Sequence, residues 1–263
     1  MRARALRLGR LGALRPVPAL LALLVLLGGW EIYVDAGGVN DLVLPAPHGI
    51  AAALYDDRGL LWSNFLVSAK EIVLGSLVAG GAGFLLAVVM HLSRWLRRAL
   101  LPLLVASQAV PVPVMAVPLL FWLGFGLEPK IVLIAIVSFF SIVVTTLAGL
   151  ATIDPALPKL MATFDAGRWR TFRHVELPAA LPGLLTGLKL TIVFAVIADV
   201  LAEQAGSNSG LGYILLTAGS QLEVAESFAA AFILSLFAIV LFALLTFAER
   251  RLAPWAHRPR GNA

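Results

Sequence analysis

Two carboxylates, Asp199 and Glu203, stand four residues apart in the stretch TIVFAVIADVLAEQAG. On a helix that spacing brings both to one face. A carboxylate at membrane depth is costly and faces protein or water. Two roles therefore fit the pair. In one they line the outer mouth of a solute pathway and favour a neutral or cationic solute over an anion. In the other they reach interfacial water or pair with another segment, for example through Lys70. Lys70 and its neighbour Glu71 are themselves placed to snorkel or to pair. Gln108, inside a further apolar run, has two readings as well: pathway lining, or an interhelical hydrogen bond.

Other chemistries lack their residues. There is no cysteine, which removes disulfides, thiolate nucleophiles and cysteine metal sites. His48, His91, His174 and His257 are too scattered to form a local metal site by spacing, so no metal is expected. No nucleophile-elbow motif is present. No GxxxxGK[ST] loop occurs either, so the chain binds no nucleotide in the P-loop manner. It reads as a non-enzyme without a cofactor of its own.

The densest polar feature is TFDAGRWRTFRHVELP, residues 163–178, with long apolar runs on both sides. It carries Asp165, Arg168, Arg170, Arg173, His174 and Glu176 beside the exposable aromatics Phe164 and Trp169. Phe164 and Trp169 suit apolar anchoring in a partner, and the arginines suit acidic groups on its surface. The plainer reading leaves the arginines as topology markers that hold anionic lipid headgroups.

The elements that must position these groups follow from composition. Sixty per cent of residues are apolar, 13% are charged and mean hydropathy is +0.93. Soluble domains carry about 45–50% apolar and about 25% charged residues. The chain is therefore an all-α polytopic membrane protein. A span needs about 20 mostly apolar residues, and six runs qualify: 17–34, 65–90, 99–123, 131–151, 182–204 and 226–248. They are continuous rather than alternating, which selects helices over a barrel. A segment 1–16 precedes them, a loop 152–181 joins the fourth and fifth, and a tail 251–263 follows.

Orientation comes from Lys and Arg. With the first segment cytoplasmic, Arg2, Arg4, Arg7, Arg10 and Arg15 lie inside. So do Arg94, Arg97 and Arg98, then Lys159, Arg168, Arg170 and Arg173, and finally Arg250, Arg251, Arg258 and Arg260. Only Arg58 and Lys130 fall outside, so both termini are expected in the cytoplasm. The net charge of +5 is thus a topology signal and not a nucleic-acid footprint. The basic start and the apolar run 17–29 also fit a signal peptide; retention as a first span leaves an even number of helices and suits two basic ends inside. Outside, LVLPAPHGI and an amphipathic stretch with Leu54, Leu60, Leu61 and Trp62 read as a connecting loop with an interfacial helix. GSNSGLGYIL reads as a second outer loop.

Local signals refine these elements. Asp154 followed by Pro155 is a helix start, and a short helix through about Ala166 is expected. Pro178 and Pro182 mark re-entry into the fifth span. Gly75, Ala79, Gly83 and Ala87 form a small-residue stripe for close helix contact, within the chain or between copies. Pro111, Pro113 and Pro118 interrupt the third span, and broken helices often line a translocation path.

With these residues in place, the chain resembles ABC-importer permeases of type I. Their cytoplasmic loop carries Glu-Ala-Ala, three residues, a glycine, nine residues, then Ile-x-Leu-Pro. Val175-Glu176-Leu177-Pro178 is similar to the end of that pattern; counting back puts Asp165 at the glycine and Lys159, Leu160 and Met161 at the triplet. LPAALPGLLTGLKL, AEQAGSNSGLGYIL, LPAPHGI and WLGFG resemble the branch serving nitrate, taurine, alkanesulfonates and thiamine pyrimidine precursors. Glu203 matches a glutamate of that branch, and Asp199 does not.

The resemblance implies a coupling helix in the loop that docks on a cytoplasmic ATPase subunit. That subunit would hold ATP and Mg. Lys159, Phe164, Asp165, Ala166, Gly167, Arg168, Trp169, Arg170, Arg173, Leu177 and Pro178 would form the docking element. It further implies a bacterial inner-membrane location, a second permease copy, most simply identical, and an external substrate-binding protein. TFDA and AEQAGSNSGLGY resemble pyrimidine-precursor permeases, with sulfonate, taurine or nitrate permeases as the alternative. From a different class, an ion-coupled secondary transporter would use Asp199 and Glu203 as coupling acids; it predicts an internal repeat that is not evident.

Overall fold

The computed structural model describes residues 16–257, so Arg2, Arg4, Arg7, Arg10, Arg15, Arg258 and Arg260 of the orientation argument lie outside them. Among the described residues the chain is helical and contains no strand. Four helices are long and apolar enough to cross a membrane. These are α3 (Arg58–Leu92), α6 (Glu128–Ala151), α8 (Arg168–Gly206) and α10 (Val224–Leu252). A fifth span is formed if the bent pair α4 (Arg94–Ser107) and α5 (Val112–Leu123) counts as one. α1 (Pro16–Gly37) has 22 residues, or about 33 Å at 1.5 Å per residue, the thickness of a bilayer core. Shorter helices are α2 (Pro47–Asp56), α7 (Ala156–Thr163) and α9 (Leu211–Ser220).

The chain divides into two compact units. The larger comprises 62–213 and 231–257. Its centre is the antiparallel contact of α6 and α8. Glycine makes that approach possible: a methyl at Gly187 would stand 2.9 Å from Ile142 Cα, and one at Gly183 would meet the Thr145 carbonyl. The stripe on α3 lies against α6. A methyl at Gly75 would stand 2.5 Å from Ile134, and one at Gly83 2.9 Å from the Phe139 carbonyl. Ala79 and Ala87 are buried. Ala87, Met90, Leu104, Val143 and Leu147 form an apolar cluster at one end of this contact. The stripe therefore packs within one chain.

The smaller unit comprises 16–61 and 214–230. Trp30 and Phe228 meet with ring centroids 6.3 Å apart, and Ser227 Oγ donates to the Leu215 carbonyl at 2.9 Å. His48, in the first turn of α2, is tied to Glu31 of α1 through both its backbone N–H, at 3.2 Å, and its Nδ1, at 2.6 Å.

Three expected boundaries change. The run 99–123 is not one straight helix: α4 and α5 meet at 98° across residues 108–111. Pro111 and Pro113 lack the N–H groups that would continue α4, and Pro111 starts α5 in extended geometry at φ −61° and ψ 130°. The helix that carries the run 65–90 begins at Arg58, because the amphipathic stretch continues into α3. The fifth span begins at Arg168 rather than at 182. A π-helical stretch, Phe172–Glu176, in which the Leu177 N–H bonds the Phe172 carbonyl, takes up the register change ahead of Pro178. GSNSGLGYIL is likewise a loop only as far as Gly210, after which α9 begins.

Candidate functional site

Two sites emerge in the larger unit. The first is the polar island. Asp154 Oδ1 accepts the Ala156 N–H at 2.8 Å and starts α7. The helix ends at Thr163, earlier than the expected Ala166. Its end is a Schellman motif. The Ala166 N–H returns to the Met161 carbonyl and the Asp165 N–H to the Ala162 carbonyl, both at 3.1 Å. Asp165 occupies the left-handed position of that motif, at φ +52°. Glycine is the usual residue there, because it has no Cβ to clash with the following carbonyl. Aspartate enters this region more readily than most residues.

This cap projects apolar groups outward. Phe164 is 73% exposed and Trp169 70%, with Leu157 and Leu160 exposed beside them. Trp169 stacks on Phe172 at 5.7 Å, and both line a cavity of about 220 Å³ with Val88, Leu92 and Arg168. Lys159, Asp165, Gly167, Arg168, Arg170 and Arg173 are also exposed, whereas Ala166, Leu177 and Pro178 are half-buried. Among the described residues no ion pair engages Arg168, Arg170 or Arg173. His91 Nε2 and Glu176 lie 3.3 Å apart and tie the end of α3 to the start of α8.

The second site is a buried charge cluster. Asp199 and Glu203 do share one face of α8, and both are enclosed by protein, at 0% and 1% exposure. Their basic neighbour is not Lys70, which is exposed. It is Lys130, buried in the first turn of α6. Lys130 Nζ donates to Glu71 Oε1 at 2.7 Å and to Ser207 Oγ at 2.9 Å. Ser68 Oγ donates to Glu203 Oε1 at 2.7 Å, and the Gly212 N–H donates to Glu203 Oε2. Asn64 Oδ1 and Ser68 Oγ accept the N–H groups of Gly210 and Leu211. Glu203 thus fastens the loop 207–212 to α3 and α8. Gly210, at φ +108°, lies so close to the Glu203 carboxylate that a methyl would overlap it.

Sequence reasoning missed Glu71, Lys130 and Ser68 as members of one site. They lie 135 positions from Glu203 in the case of Ser68 and 59 from one another in the case of Glu71 and Lys130. The available signal was charge depth: Glu71 and Lys130 each border an apolar run. Gln108, Pro111 and Pro113 are exposed at the α4–α5 break and take no part in the cluster. Gln108 Nε2 reaches Ser107 Oγ at 3.4 Å.

Helices of membrane-spanning length, a proline-broken pair and a helical loop with exposed aromatics are those of a polytopic membrane protein. The chain belongs to the family of binding-protein-dependent transport system inner membrane components, which its residues 74–258 match. It is 34% identical over 87% of its length, and 94% of theirs, to a "Probable ABC transporter permease protein" of Haemophilus influenzae. It is 33% identical to the formylaminopyrimidine transport permease protein ThiX of Halalkalibacterium halodurans, across 92% of this chain and 96% of that one. Lower, at 29% over 89% and 87%, is the taurine transport system permease protein TauC of Escherichia coli. In fold the chain is similar to the MetNI methionine ABC transporter in an inward-facing conformation, with a TM-score of 0.64, 20% identity, and 76% and 98% of the two chains covered.

The chain is therefore an ABC-importer permease subunit, all-α and multi-pass, of the branch that the sequence motifs resembled. The reading as an ion-coupled secondary transporter gives way to this family membership.

Proposed function

We propose that the chain imports a small organic solute by alternating access, driven through its loop 152–181 by a separate cytoplasmic ATPase. The observation that carries this reading is the loop surface. Phe164 and Trp169 are 73% and 70% exposed on a helix end held by a left-handed cap. Exposed aromatics flanked by unpaired arginines suit a protein partner with an apolar pocket and an acidic rim. The two-residue link 166–167 from this cap into α8, with its π-helical stretch, gives a path for force into the membrane. In this reading the loop and both termini face the cytoplasm, and two permease copies act with an external binding protein.

The proposed substrate class is a thiamine pyrimidine precursor. Support comes from ThiX, 33% identical over nearly the whole chain. An alkanesulfonate, taurine or nitrate is the alternative, supported by TauC at 29%. Calorimetric titration of the partner binding protein with formylaminopyrimidine, taurine, alkanesulfonates and nitrate separates them. Saturable heat with formylaminopyrimidine alone supports the first reading; heat with taurine alone replaces it.

A further inference from the structure

We propose that Glu71, Asp199 and Glu203 form a binding site for one hard divalent cation of about the size of calcium. One carboxylate oxygen from each residue lies within 4.8 Å of the other two. All three side chains are buried, at 3%, 0% and 1% exposure. The donor accounting around them does not close. Glu203 has both oxygens satisfied, by Ser68 and by the Gly212 N–H. Glu71 has one, satisfied by Lys130. Glu71 Oε2 and both oxygens of Asp199 have no hydrogen-bond donor. A buried polar atom without a partner is costly, and a charged one more so, so such groups are normally paired or coordinate metals.

Charge points the same way. With all three ionised, the carboxylates exceed the single ammonium of Lys130 by two charges in this enclosed space. One divalent cation balances them. The donor set contains oxygen only, with no thiolate or imidazole, which selects a hard cation. Ligand number then separates the candidates. Calcium takes six to eight oxygens in flexible geometry, whereas magnesium keeps several waters and is usually held by only one or two carboxylates. Three carboxylates enclosed by protein suit calcium.

Access and function follow from the surroundings. Glu71 and Lys130 line a cavity of about 510 Å³ together with Ser207, Asn208 and Ser209. Through Glu203 the cation would sit at the anchor that holds the loop 207–212 on α3 and α8. Its expected role is to lock that loop.

The test uses the purified permease complex in nanodiscs, stripped with chelator, with calcium chloride alone as the probe. Equilibrium dialysis with calcium-45 is expected to show saturable binding of about one calcium per permease chain, and calcium is expected to raise the thermal midpoint by mass action. Asp199→Asn keeps the shape, removes one charged ligand and is expected to weaken calcium binding about 100-fold, with little calcium effect on its midpoint. Should that variant not fold, Glu71→Gln and the wild-type dialysis decide. Absence of calcium binding to the wild type overturns the proposal, as does unchanged affinity in a folded Asp199→Asn variant. Sodium binding without calcium binding overturns the divalent assignment. A midpoint that moves with pH but not with calcium means that protons fill the site, and also overturns it.

Discussion

Replacing Asp165 isolates the cap of α7 from its surface chemistry. The residue sits at φ +52° in the left-handed position of a Schellman motif. For an ordinary L-residue that geometry costs about 1–2 kcal/mol, and for a β-branched residue it is a genuine outlier. Asp165→Gly removes the Cβ contact and is expected to preserve or tighten the cap. Asp165→Val forces the loop out of the left-handed region at a cost of about 1–2 kcal/mol, which lowers the fraction of loops in docking geometry by a factor of about 5–30. Asp165→Asn should behave like the wild type, because asparagine also enters this region. The assay is ATP hydrolysis by the assembled complex in nanodiscs, with and without substrate-loaded binding protein. Stimulated activity should survive in the Gly and Asn variants and fall by the stated factor in the Val variant, with permease levels equal. Equal stimulated activity in Gly and Val would refute the reasoning.

Further expectations concern stability. Gly75→Val places atoms where Ile134 now stands 2.5 Å from a bare methyl position; overpacking of this kind costs about 1–3 kcal/mol and should lower the thermal midpoint in detergent. Lys130→Met leaves Glu71 buried without its ammonium and is expected to destabilise by about 3–5 kcal/mol, whereas Lys130→Met with Glu71→Leu should recover much of that loss on the same melting scale. Glu31, hydrogen-bonded to the ring, holds the pKa of His48 above its ordinary 6.5. A raised pKa means stability that is fully present below 6.5 and lost as pH rises through the higher folded value. The difference in midpoint between wild type and His48→Gln should therefore be largest in mild acid and shrink above neutrality. A pH-independent difference would mean that the pair does not titrate.

Much of the fold is legible in continuous apolar runs, since a lipid-exposed backbone has to satisfy its own hydrogen bonds in helices. The Asp154 start of α7 was equally legible, because a cap is a local interaction spanning two positions. The spacing that aligned Asp165 with the glycine of related loops also anticipated a position where glycine is the natural occupant. The 98° break between α4 and α5 was harder to foresee. Hydropathy is continuous across 99–123, and its four prolines predict a kink without stating which one ends the helix. The buried cluster was the least legible. Asp199 and Glu203 advertise themselves by their spacing, but Glu71 and Lys130 come from two other helices. Which helices meet is set by the small-residue contacts of Gly75, Gly83, Gly183 and Gly187, and those become specific only in three dimensions.

The central claim is that a partner ATPase drives this permease through Phe164 and Trp169. Uptake into proteoliposomes tests it most directly. The permease is reconstituted with its ATPase and its binding protein loaded with the solute that the protein retains, and uptake is followed with and without ATP. The account predicts accumulation only when ATP and the ATPase are both present, and loss of both accumulation and ATPase retention in the combined Phe164→Ala, Trp169→Ala variant, whose helical content and midpoint stay at wild-type values. Accumulation by the permease alone under an imposed proton or sodium gradient, unaffected by ATP, would contradict it.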